Sequence, residues 1–247
     1  MKQTLMIALL LAVMPVAGSA QEGSVLAPPS WGPRVRATPF IGFGSGFQSK
    51  GKLFGTGGNE IGTRDYEFEY GSGPVTGLNV EVRARSRFSA LAGVAWSRRG
   101  ETLFTTEDSL VSDVGSDFLT ARVAGGIRLR ERDEDLQFRS LSALLFAGAA
   151  MIRETPEVTL NSPAEWRDAV THWGLNLGAE AELPLSNDRL AFTAAIEDYI
   201  VFWNPDGLKQ HLQSYSQSEF GLTVAETDPG ISNMVLIRLG LTFRFGS

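Results

Sequence analysis

The sequence predicts an all-β fold, an eight-stranded antiparallel up-and-down transmembrane β-barrel, and three observations favour it. Eight segments alternate between apolar and polar residues with the period of two that is typical of β-strands. Long and short connections alternate between these segments. An N-terminal leader is expected to direct the chain out of the cytoplasm, and no later segment is apolar enough to span a membrane as a helix.

The last segment, "MVLIRLGLTFRFGS" at residues 234–247, shows the alternation most clearly. Every second side chain from Val235 to Phe245 is apolar, whereas the intervening positions are mixed or small and include Arg238 and Arg244. A soluble sandwich would turn the apolar face toward a core and the arginines toward water. A membrane barrel would turn the apolar face toward lipid and the arginines inward. The alternation alone leaves both interpretations open.

The other seven segments share this alternation, and they are residues 35–47, 77–85, 88–97, 118–130, 141–152, 172–183 and 190–203. The segment at 141–152 is apolar on both faces, so that alone it could be a buried helix and its inward face stays open. In the segment at 190–203 the alternation breaks at Asp198, which would fit a bulge or an emergence from the apolar zone. Tilted strands of about 10 residues match the thickness of a bilayer core.

The connections between the segments alternate strictly between long and short. Residues 48–76 separate the first two segments, whereas only Ser86 and Arg87 separate the second from the third. Long structureless loops are unusual in compact soluble domains. A membrane barrel with an even number of strands has short periplasmic turns and long extracellular loops. The lengths therefore favour the barrel.

The N-terminus has the layout of a cleavable secretory signal. A lysine precedes an apolar stretch from Leu5 to Val16, and small residues follow it. This stretch is shorter than the roughly 20 residues that a spanning helix needs. We therefore expect residues 1–20 to be a signal peptide, residues 21–33 an N-terminal periplasmic segment, and residues 34–247 the barrel domain.

The composition argues against several kinds of function. The formal net charge of −6 over 247 residues gives no electrostatic reason to expect a nucleic-acid partner. The chain contains no cysteine, which excludes disulfides, thiolate chemistry and cysteine metal sites. The glycine-rich stretch "GFGSGF" at residues 42–47 precedes no predicted helix, so we expect its glycines to leave room in a crowded interior and not to cradle phosphate. We predict no cofactor.

The polar faces of the predicted strands mix arginine and glutamate with glycine, alanine and threonine. The interior of an eight-stranded barrel is just wide enough for side chains to fill, so charges there must pair. The predicted interior charge network, structural in role, consists of Glu81, Arg83, Arg122, Arg128, Glu180, Glu182, Glu197, Arg238 and Arg244, with Arg85 as a further candidate. Within this network, the glutamates at 180, 182 and 197 are the candidate partners of the arginines at 238 and 244.

Aromatic residues gather near the ends of the predicted strands, namely Phe88, Phe118, Trp173, Phe192, Trp203 and Phe245. Rings at these positions are typical of the aromatic girdles at membrane interfaces. Aromatic residues also favour strands in general. We expect a girdle.

Candidate catalytic and metal-binding residues are few. His211 lies in "HLQSYSQSE", which also contains serines and a glutamate, but this is the middle of a long loop without the rigid frame that a catalytic triad needs. His172 begins the sixth segment on its inward face, where we expect a structural role. The acidic stretch at residues 106–117 lacks the spacing of an EF-hand, although weak bridging of divalent cations to lipopolysaccharide stays open. We predict no catalytic residue, no metal site and no enzymatic activity.

A secreted chain with eight alternating segments and the terminal strand "VLIRLGLTFRFGS" resembles the bacterial outer membrane β-barrel superfamily, in particular its small OmpA/OmpX-like members. The segment "IEDYIVF" at residues 196–202 also resembles the penultimate strand of many such proteins. In that family the barrel-assembly machinery recognises a terminal strand with a final aromatic residue; here Gly246 and Ser247 follow Phe245. The resemblance implies a monomer in the outer membrane, surrounded by lipid and lipopolysaccharide and inserted by that machinery.

These observations predict a structural or surface-interaction role, with a filled, charged interior and long extracellular loops. A narrow channel or small-solute transporter is one alternative, and it requires the charge network to leave a path for water. A lipid-modifying outer membrane enzyme is a second alternative. A secreted sandwich or lipocalin-like barrel is the alternative fold.

Overall fold

The computed structural model describes residues 35–57, 60–83, 88–105, 109–130, 141–158, 165–166, 168–185, 189–207, 209–210, 223–224 and 230–245. The signal peptide and periplasmic segment lie outside these ranges, so the proposed division of the chain stays a prediction. Within these ranges, no helix has the length and hydrophobicity to cross a membrane.

The described strands are numbered in chain order. They are β1 (Val35–Gly44), β2 (Phe47–Gly57), β3 (Glu60–Tyr70), β4 (Gly73–Arg83), β5 (Phe88–Thr105), β6 (Ser109–Arg130), β7 (Ser142–Val158), β8 (Glu165–Trp166), β9 (Val170–Pro184), β10 (Leu190–Phe202), β11 (Thr223–Val224) and β12 (Ile231–Phe245). Helical residues 205–207 and 209–210 follow β10.

Eight of these strands close into an antiparallel barrel in the order β1, β4, β5, β6, β7, β9, β10 and β12, and β12 pairs back to β1. Paired residues followed once around the barrel from Leu190 lead to Ile200, ten residues farther along β10. A stagger of this kind tilts the strands of a closed barrel. The predicted eight-stranded antiparallel barrel is confirmed.

Several strands continue beyond the barrel at one end. β2 and β3 prolong β1 and β4 after breaks at residues 45–46 and 71–72, and they pair with each other. β5 and β6 also stay paired far beyond the barrel, as far as Phe104 and Ser109. The opposite end holds the start of β1, the end of β12 and the shorter connections. Short turns are periplasmic in outer membrane barrels, so we expect the end with the prolonged strands to be extracellular, and we call it the extracellular end.

These prolonged strands correct the expectation of long structureless loops. Much of the predicted loops at residues 48–76 and 98–117 is paired strand. Beyond the bilayer neither face of a strand meets lipid, so pairing can continue without the alternation of apolar and polar residues. That alternation was the only signal by which the sequence predicted strands.

The outward faces of the barrel strands form a continuous apolar belt. On β12 the side chains of Ile237 and Leu239 are 58% and 47% exposed, and on β1 Ile41 is 70% exposed. A belt of this size would be unstable against water, but it matches the lipid-facing band of a membrane barrel. Arg238, between two of these residues, is 1% exposed. The apolar face of β12 therefore faces lipid, and its arginines face the interior.

The segments at residues 141–152 and 190–203, whose structure the sequence left partly open, are both regular strands. In β7, Leu144 and Phe146 are buried and Leu145 is exposed, which fixes the inward face that the sequence left open. β10 pairs with β9 and β12 without a change of register around Asp198, so the suggested bulge is wrong. The Asp198 side chain lies on the outward face, where Asn233 Nδ2 donates to its Oδ2 at 3.5 Å.

The predicted aromatic girdle is correct for the exposed, outward-facing members Phe88, Trp173, Phe192 and Phe245. It is wrong for Phe118 and Trp203, which are 2% and 6% exposed and lie inside the barrel. Their neighbours Leu119 and Phe202 occupy the outward positions. The prediction rested on the position of both rings near a strand end. The alternation of side chains along the strand, however, decides whether a ring faces lipid or the barrel interior.

Candidate functional site: the barrel interior

Glu182 on β9 is the centre of the periplasmic part of the interior. Its Oε2 accepts hydrogen bonds from Arg36 Nη1 at 2.8 Å and Arg128 Nη1 at 3.2 Å. Its Oε1 accepts from Arg244. The Glu182 side chain is fully buried. Three guanidinium groups from β1, β6 and β12 thus converge on one carboxylate, which joins strands that are far apart in sequence.

Glu81 on β4 completes this lower group. Arg128 Nε donates to Glu81 Oε1 at 3.1 Å, and Arg128 Nη2 forms an ion pair with the other oxygen. Ser89 Oγ donates to Oε1 at 2.6 Å, and Arg36 Nη1 lies 3.5 Å from Oε2. Arg128 therefore bridges Glu81 and Glu182 across the barrel, and neither carboxylate is left without hydrogen-bond donors.

A second group fills the middle of the barrel. Arg238 Nη2 donates to Glu180 Oε2 at 2.8 Å, and Arg238 Nε donates to Glu197 Oε1 at 2.5 Å. Arg122 Nη2 lies 3.1 Å from Glu197 Oε1. The two groups are linked, because Arg128 Nη2 is 3.6 Å from Glu180 Oε1. Charges of opposite sign therefore form one connected network through the lower and middle parts of the interior.

Neutral side chains support the middle group. Arg122 donates to Asn176 Oδ1 at 2.7 Å and to Asn79 Oδ1 at 3.0 Å. Tyr199 OH donates to Glu197 Oε2 at 2.8 Å. The Arg122 guanidinium also stacks over the ring of Phe146, 4.6 Å from its centroid. These contacts fix the direction of the guanidinium.

The structure joins Arg238 to Glu180 and Glu197, and Arg244 to Glu182, which are partners that the sequence suggested. Arg83 lies half-buried at the periplasmic end of β4, close enough to Glu81 to interact with it electrostatically. Arg85 lies outside the described residues. Sequence reasoning missed Arg36, although its alternate position on β1 placed it on the inward face.

Near the extracellular end, four aromatic side chains pack against one another. This aromatic cluster consists of Phe47, Tyr70, Phe118 and Trp203. The Tyr70 and Trp203 rings stack with centroids 5.6 Å apart, and the Phe47 and Tyr70 centroids are 4.7 Å apart. Phe118 packs edge-on against Tyr70 at 5.1 Å. The cluster lies across the barrel above the charged groups.

A buried polar group accompanies the aromatic cluster. Glu154 accepts hydrogen bonds from Tyr70 OH at 2.7 Å and Ser116 Oγ at 3.1 Å. His172 Nε2 lies 3.0 Å from Glu154 Oε2, and the Asn204 backbone N–H donates to His172 Nδ1 at 3.0 Å. Because Nδ1 accepts, Nε2 carries the proton and donates to Glu154. Both ring nitrogens of His172 have partners, which fits the structural role that the sequence predicts, whereas His211 lies outside the described residues.

Arg99 holds the strands together where they leave the barrel. It is 2% exposed, and it donates to the carbonyl oxygens of Ser45 and Gly71, at the breaks that precede β2 and β3. Its guanidinium also lies 5.2 Å from the centroid of the Phe47 ring. A Cβ at Gly44 would overlap this guanidinium, which is the close approach that the glycine permits.

The charged groups, the aromatic cluster and small residues share the described interior. A Cβ at Gly93 would overlap Asn79 Oδ1, so a larger residue there would displace the Asn79 side chain. Carboxylate oxygens of Glu81, Glu180 and Glu182 lie within 4.8 Å of one another, a spacing that could hold a cation. Arginine nitrogens already occupy these oxygens, however, and supply the compensating positive charge.

No protein-family model matches the chain, and no curated protein matches it. Among solved structures, the outer membrane protein OprG from Pseudomonas aeruginosa is similar with a TM-score of 0.52 and 9% identity, covering 87% of this chain and 98% of that chain. Neisserial surface protein A is similar with a TM-score of 0.41 and 6% identity, over 85% and 97%. Ail, the attachment invasion locus protein of Yersinia pestis, solved in complex with the heparin analogue sucrose octasulfate, is similar with a TM-score of 0.38 and 16% identity, over 86% and 99%.

The likeness to OprG shows a shared fold, that of a small outer membrane β-barrel. The apolar belt independently requires a lipid environment around the barrel. The chain therefore has the fold of a small outer membrane β-barrel, with an outward face suited to lipid.

Proposed function

We propose that this barrel is sealed and that its role is structural and interactive, exercised by the strands that extend beyond the membrane. The observation that carries the proposal is the filling of the interior. Arg238, Glu182 and Glu197 are each at most 1% exposed, and the aromatic cluster lies above them. Such low exposure of these three side chains supports an interior without a continuous path for water.

The second part of the proposal concerns the extracellular end. β2 and β3 form a hairpin, and β5 and β6 form another, which together present paired backbone outside the belt. β3 also pairs with β5, so the two hairpins belong to one sheet. A paired sheet on a closed barrel is a suitable frame for recognition of a surface partner.

An enzymatic role finds little support in the described residues. Both ring nitrogens of His172 are engaged, by Glu154 and by the Asn204 backbone, so neither is available as a general base. Ser116 donates to Glu154 and is not placed on the histidine as a nucleophile would be. We therefore propose a non-enzymatic protein.

Conductance measurement tests the sealed interior. Purified barrel inserted into planar lipid bilayers is expected to give no stable channel at moderate voltage. Stable unitary conductance in the wild type that Arg122→Ala or Arg238→Ala changes would contradict the proposal and favour the narrow channel. The exposed residue Arg189 supplies the matched control, Arg189→Ala, because it lies in a periplasmic turn outside the network.

Shortening the β5–β6 hairpin tests the surface role. Replacing residues 101–114 by a short turn is expected to leave heat-modifiable migration on a gel unchanged, because the barrel pairing ends below this region. Adherence of expressing cells to protein-coated or polysaccharide-coated surfaces is expected to fall to the level of cells without the protein. Unchanged adherence, with the wild type clearly adherent, would contradict a role for this hairpin.

A further inference from the structure

The periplasmic part of the interior carries more positive than negative charge. In the lower group, three buried or nearly buried arginines surround two buried carboxylates; these residues are Arg36, Arg128, Arg244, Glu81 and Glu182. Arg36 and Arg244 are direct partners in the ladder between β1 and β12, so two of the like charges stand side by side. Among the described side chains, this group therefore has an excess of one positive charge. Such an excess is costly in a buried place and favours a bound anion.

Two buried nitrogens beside this excess charge have no acceptor among the described residues. They are Arg36 Nε and Asn79 Nδ2, on side chains that are 5% and 6% exposed. The oxygen of Asn79 accepts from Arg122 Nη2 at 3.0 Å, so its amide nitrogen faces away from that guanidinium. A buried donor that gives up water without gaining an acceptor is destabilising, and such donors are rare in folded proteins.

The two donors occupy neighbouring positions on the inward face of adjacent strands. Arg36 on β1 is opposite Glu81 on β4, and Asn79, two residues earlier on β4, is opposite Thr38. Arg36 and Asn79 are therefore diagonal neighbours, whose backbones lie about 7–8 Å apart in an antiparallel pair. Their side chains can reach one small ligand between them.

A row of threonine hydroxyls offers a third donor at the same place. Thr38 Oγ1 lies 2.8 Å from Thr242 Oγ1, which also contacts Thr193 Oγ1. Each of the three hydroxyls has one hydrogen, and the two contacts use two of them. When the row donates from Thr193 through Thr242 to Thr38, the Thr38 hydroxyl keeps its hydrogen for a further acceptor.

We propose that Arg36 Nε, Asn79 Nδ2 and the Thr38 hydroxyl bind one small monoanion such as chloride inside the barrel. Each group donates a hydrogen bond to the ion, and the ion supplies the negative charge that the lower group lacks. A water molecule would accept from two of these donors but would leave the excess charge uncompensated. The inference concerns the interior alone and does not depend on the surface role of the hairpins.

Anomalous X-ray diffraction tests the site in the unaltered protein, on crystals of the full barrel refolded and grown in sodium bromide. One bromide peak is expected at hydrogen-bond distance from both Arg36 Nε and Asn79 Nδ2. Peaks only at exposed arginines such as Arg189 would mean an adventitious ion only and would overturn the inference. Density at the site without an anomalous signal would mean a water molecule and would overturn it as well.

Asn79→Asp and Asn176→Asp form a matched pair of variants. Both asparagines are buried, and each accepts a hydrogen bond from Arg122 through Oδ1. The nitrogen of Asn176 donates to Glu197 Oε2 at 3.4 Å, so a carboxylate at position 176 meets a like charge. A carboxylate at position 79 instead brings its second oxygen, and a negative charge, to the place of the proposed anion.

Urea unfolding in lipid vesicles is compared in chloride and, at equal ionic strength, in gluconate, which is too large for the site. The unfolding constant of wild type is expected to fall about tenfold when chloride is at about ten times its dissociation constant. Asn79→Asp is expected to lose this dependence and to be at least as stable as wild type in gluconate. Asn176→Asp is expected to keep the dependence and to be less stable.

A wild type that is equally stable in chloride and gluconate would overturn the inference. Full chloride dependence of Asn79→Asp would overturn it too, because the added carboxylate would then not have replaced the ion. Asn233→Asp, at an exposed position on the outward face, is the control should Asn176→Asp not fold, and it is expected to respond to chloride as wild type does.

Discussion

The charged groups and the aromatic cluster fill the same barrel by opposite means. Around Glu182 and Glu197, buried charges are stable only because arginines from distant strands surround each carboxylate. Around Phe118 and Tyr70, stacked rings occupy most of the space, and the Glu154 carboxylate beside them accepts hydrogen bonds from the hydroxyls of Tyr70 and Ser116. Removing one member should therefore be more damaging in the charged part, where the partners are left as uncompensated buried charges.

The largest effect is expected for Glu182→Ala. This change leaves Arg36, Arg128 and Arg244 without the carboxylate on which they converge. The free energy of unfolding should fall by about 3–5 kcal/mol, the usual consequence of breaking a buried ion pair on one side. Urea titration of the barrel in lipid vesicles, followed by tryptophan fluorescence, measures it.

The control for this variant is Asp206→Asn, which alters an exposed carboxylate outside the barrel and should change stability little. Glu182→Gln keeps the shape but removes the charge, so it should fall between the control and Glu182→Ala. A loss below about 1 kcal/mol for Glu182→Ala would show that the charged groups do not hold the barrel together.

A smaller loss is expected for Phe118→Ala in the aromatic cluster. Truncating a buried phenylalanine leaves a cavity and should cost about 3 kcal/mol in the same urea titration. The matched variant is Phe192→Ala, because both residues lie near strand ends but Phe192 is 43% exposed on the lipid face. Lipid can fill the space left there, so its cost should be clearly lower. The reverse order would contradict the inward placement of Phe118.

The smallest loss is expected for Tyr70→Phe, which keeps the stacked ring but removes the hydroxyl that donates to Glu154. The loss of a hydrogen bond to a buried carboxylate should cost about 1.5 kcal/mol. Tyr199→Phe removes the corresponding donor to Glu197 in the charged part and is the direct comparison. If the Tyr70 variant is as stable as wild type while the Tyr199 variant is not, Glu154 does not depend on Tyr70.

The charged part was largely predictable from sequence, and the aromatic cluster was not. Arginine and glutamate at every second position of a strand can only face inward when the other positions face lipid, which is how Arg238 and Glu180 were identified. The sequence only suggested which glutamate pairs with which arginine, because the closure of the barrel decides which strands lie opposite each other. The prediction for Phe118 was wrong because it rested on the position of the ring near a strand end, whereas the alternation that puts Leu119 outward puts Phe118 inward.

The extended strands and Arg99 show a second limit of the sequence. Beyond the bilayer no lipid face imposes alternation, and β2 carries little of it. β3 alternates only over a short stretch, where Tyr66, Phe68 and Tyr70 are separated by acidic residues. Arg99 was invisible because its partners are the backbone carbonyls of Ser45 and Gly71. Every residue has a backbone carbonyl, so the sequence does not reveal which carbonyl will accept a hydrogen bond, whereas a glutamate partner can be recognised in the sequence.

The central claim is that lipid surrounds the barrel while its interior is closed to water, and two adjacent positions on β10 test it. Ala195 is 7% exposed and faces the charged groups, whereas Ile196 is 52% exposed and faces lipid. The chain has no cysteine, so Ala195→Cys and Ile196→Cys each introduce a single thiol. In lipid vesicles, a charged, water-soluble thiol reagent should modify neither, whereas a lipid-soluble maleimide should modify only the thiol at position 196. Modification at position 195 by the charged reagent in the folded barrel would reveal a water path and contradict the sealed interior.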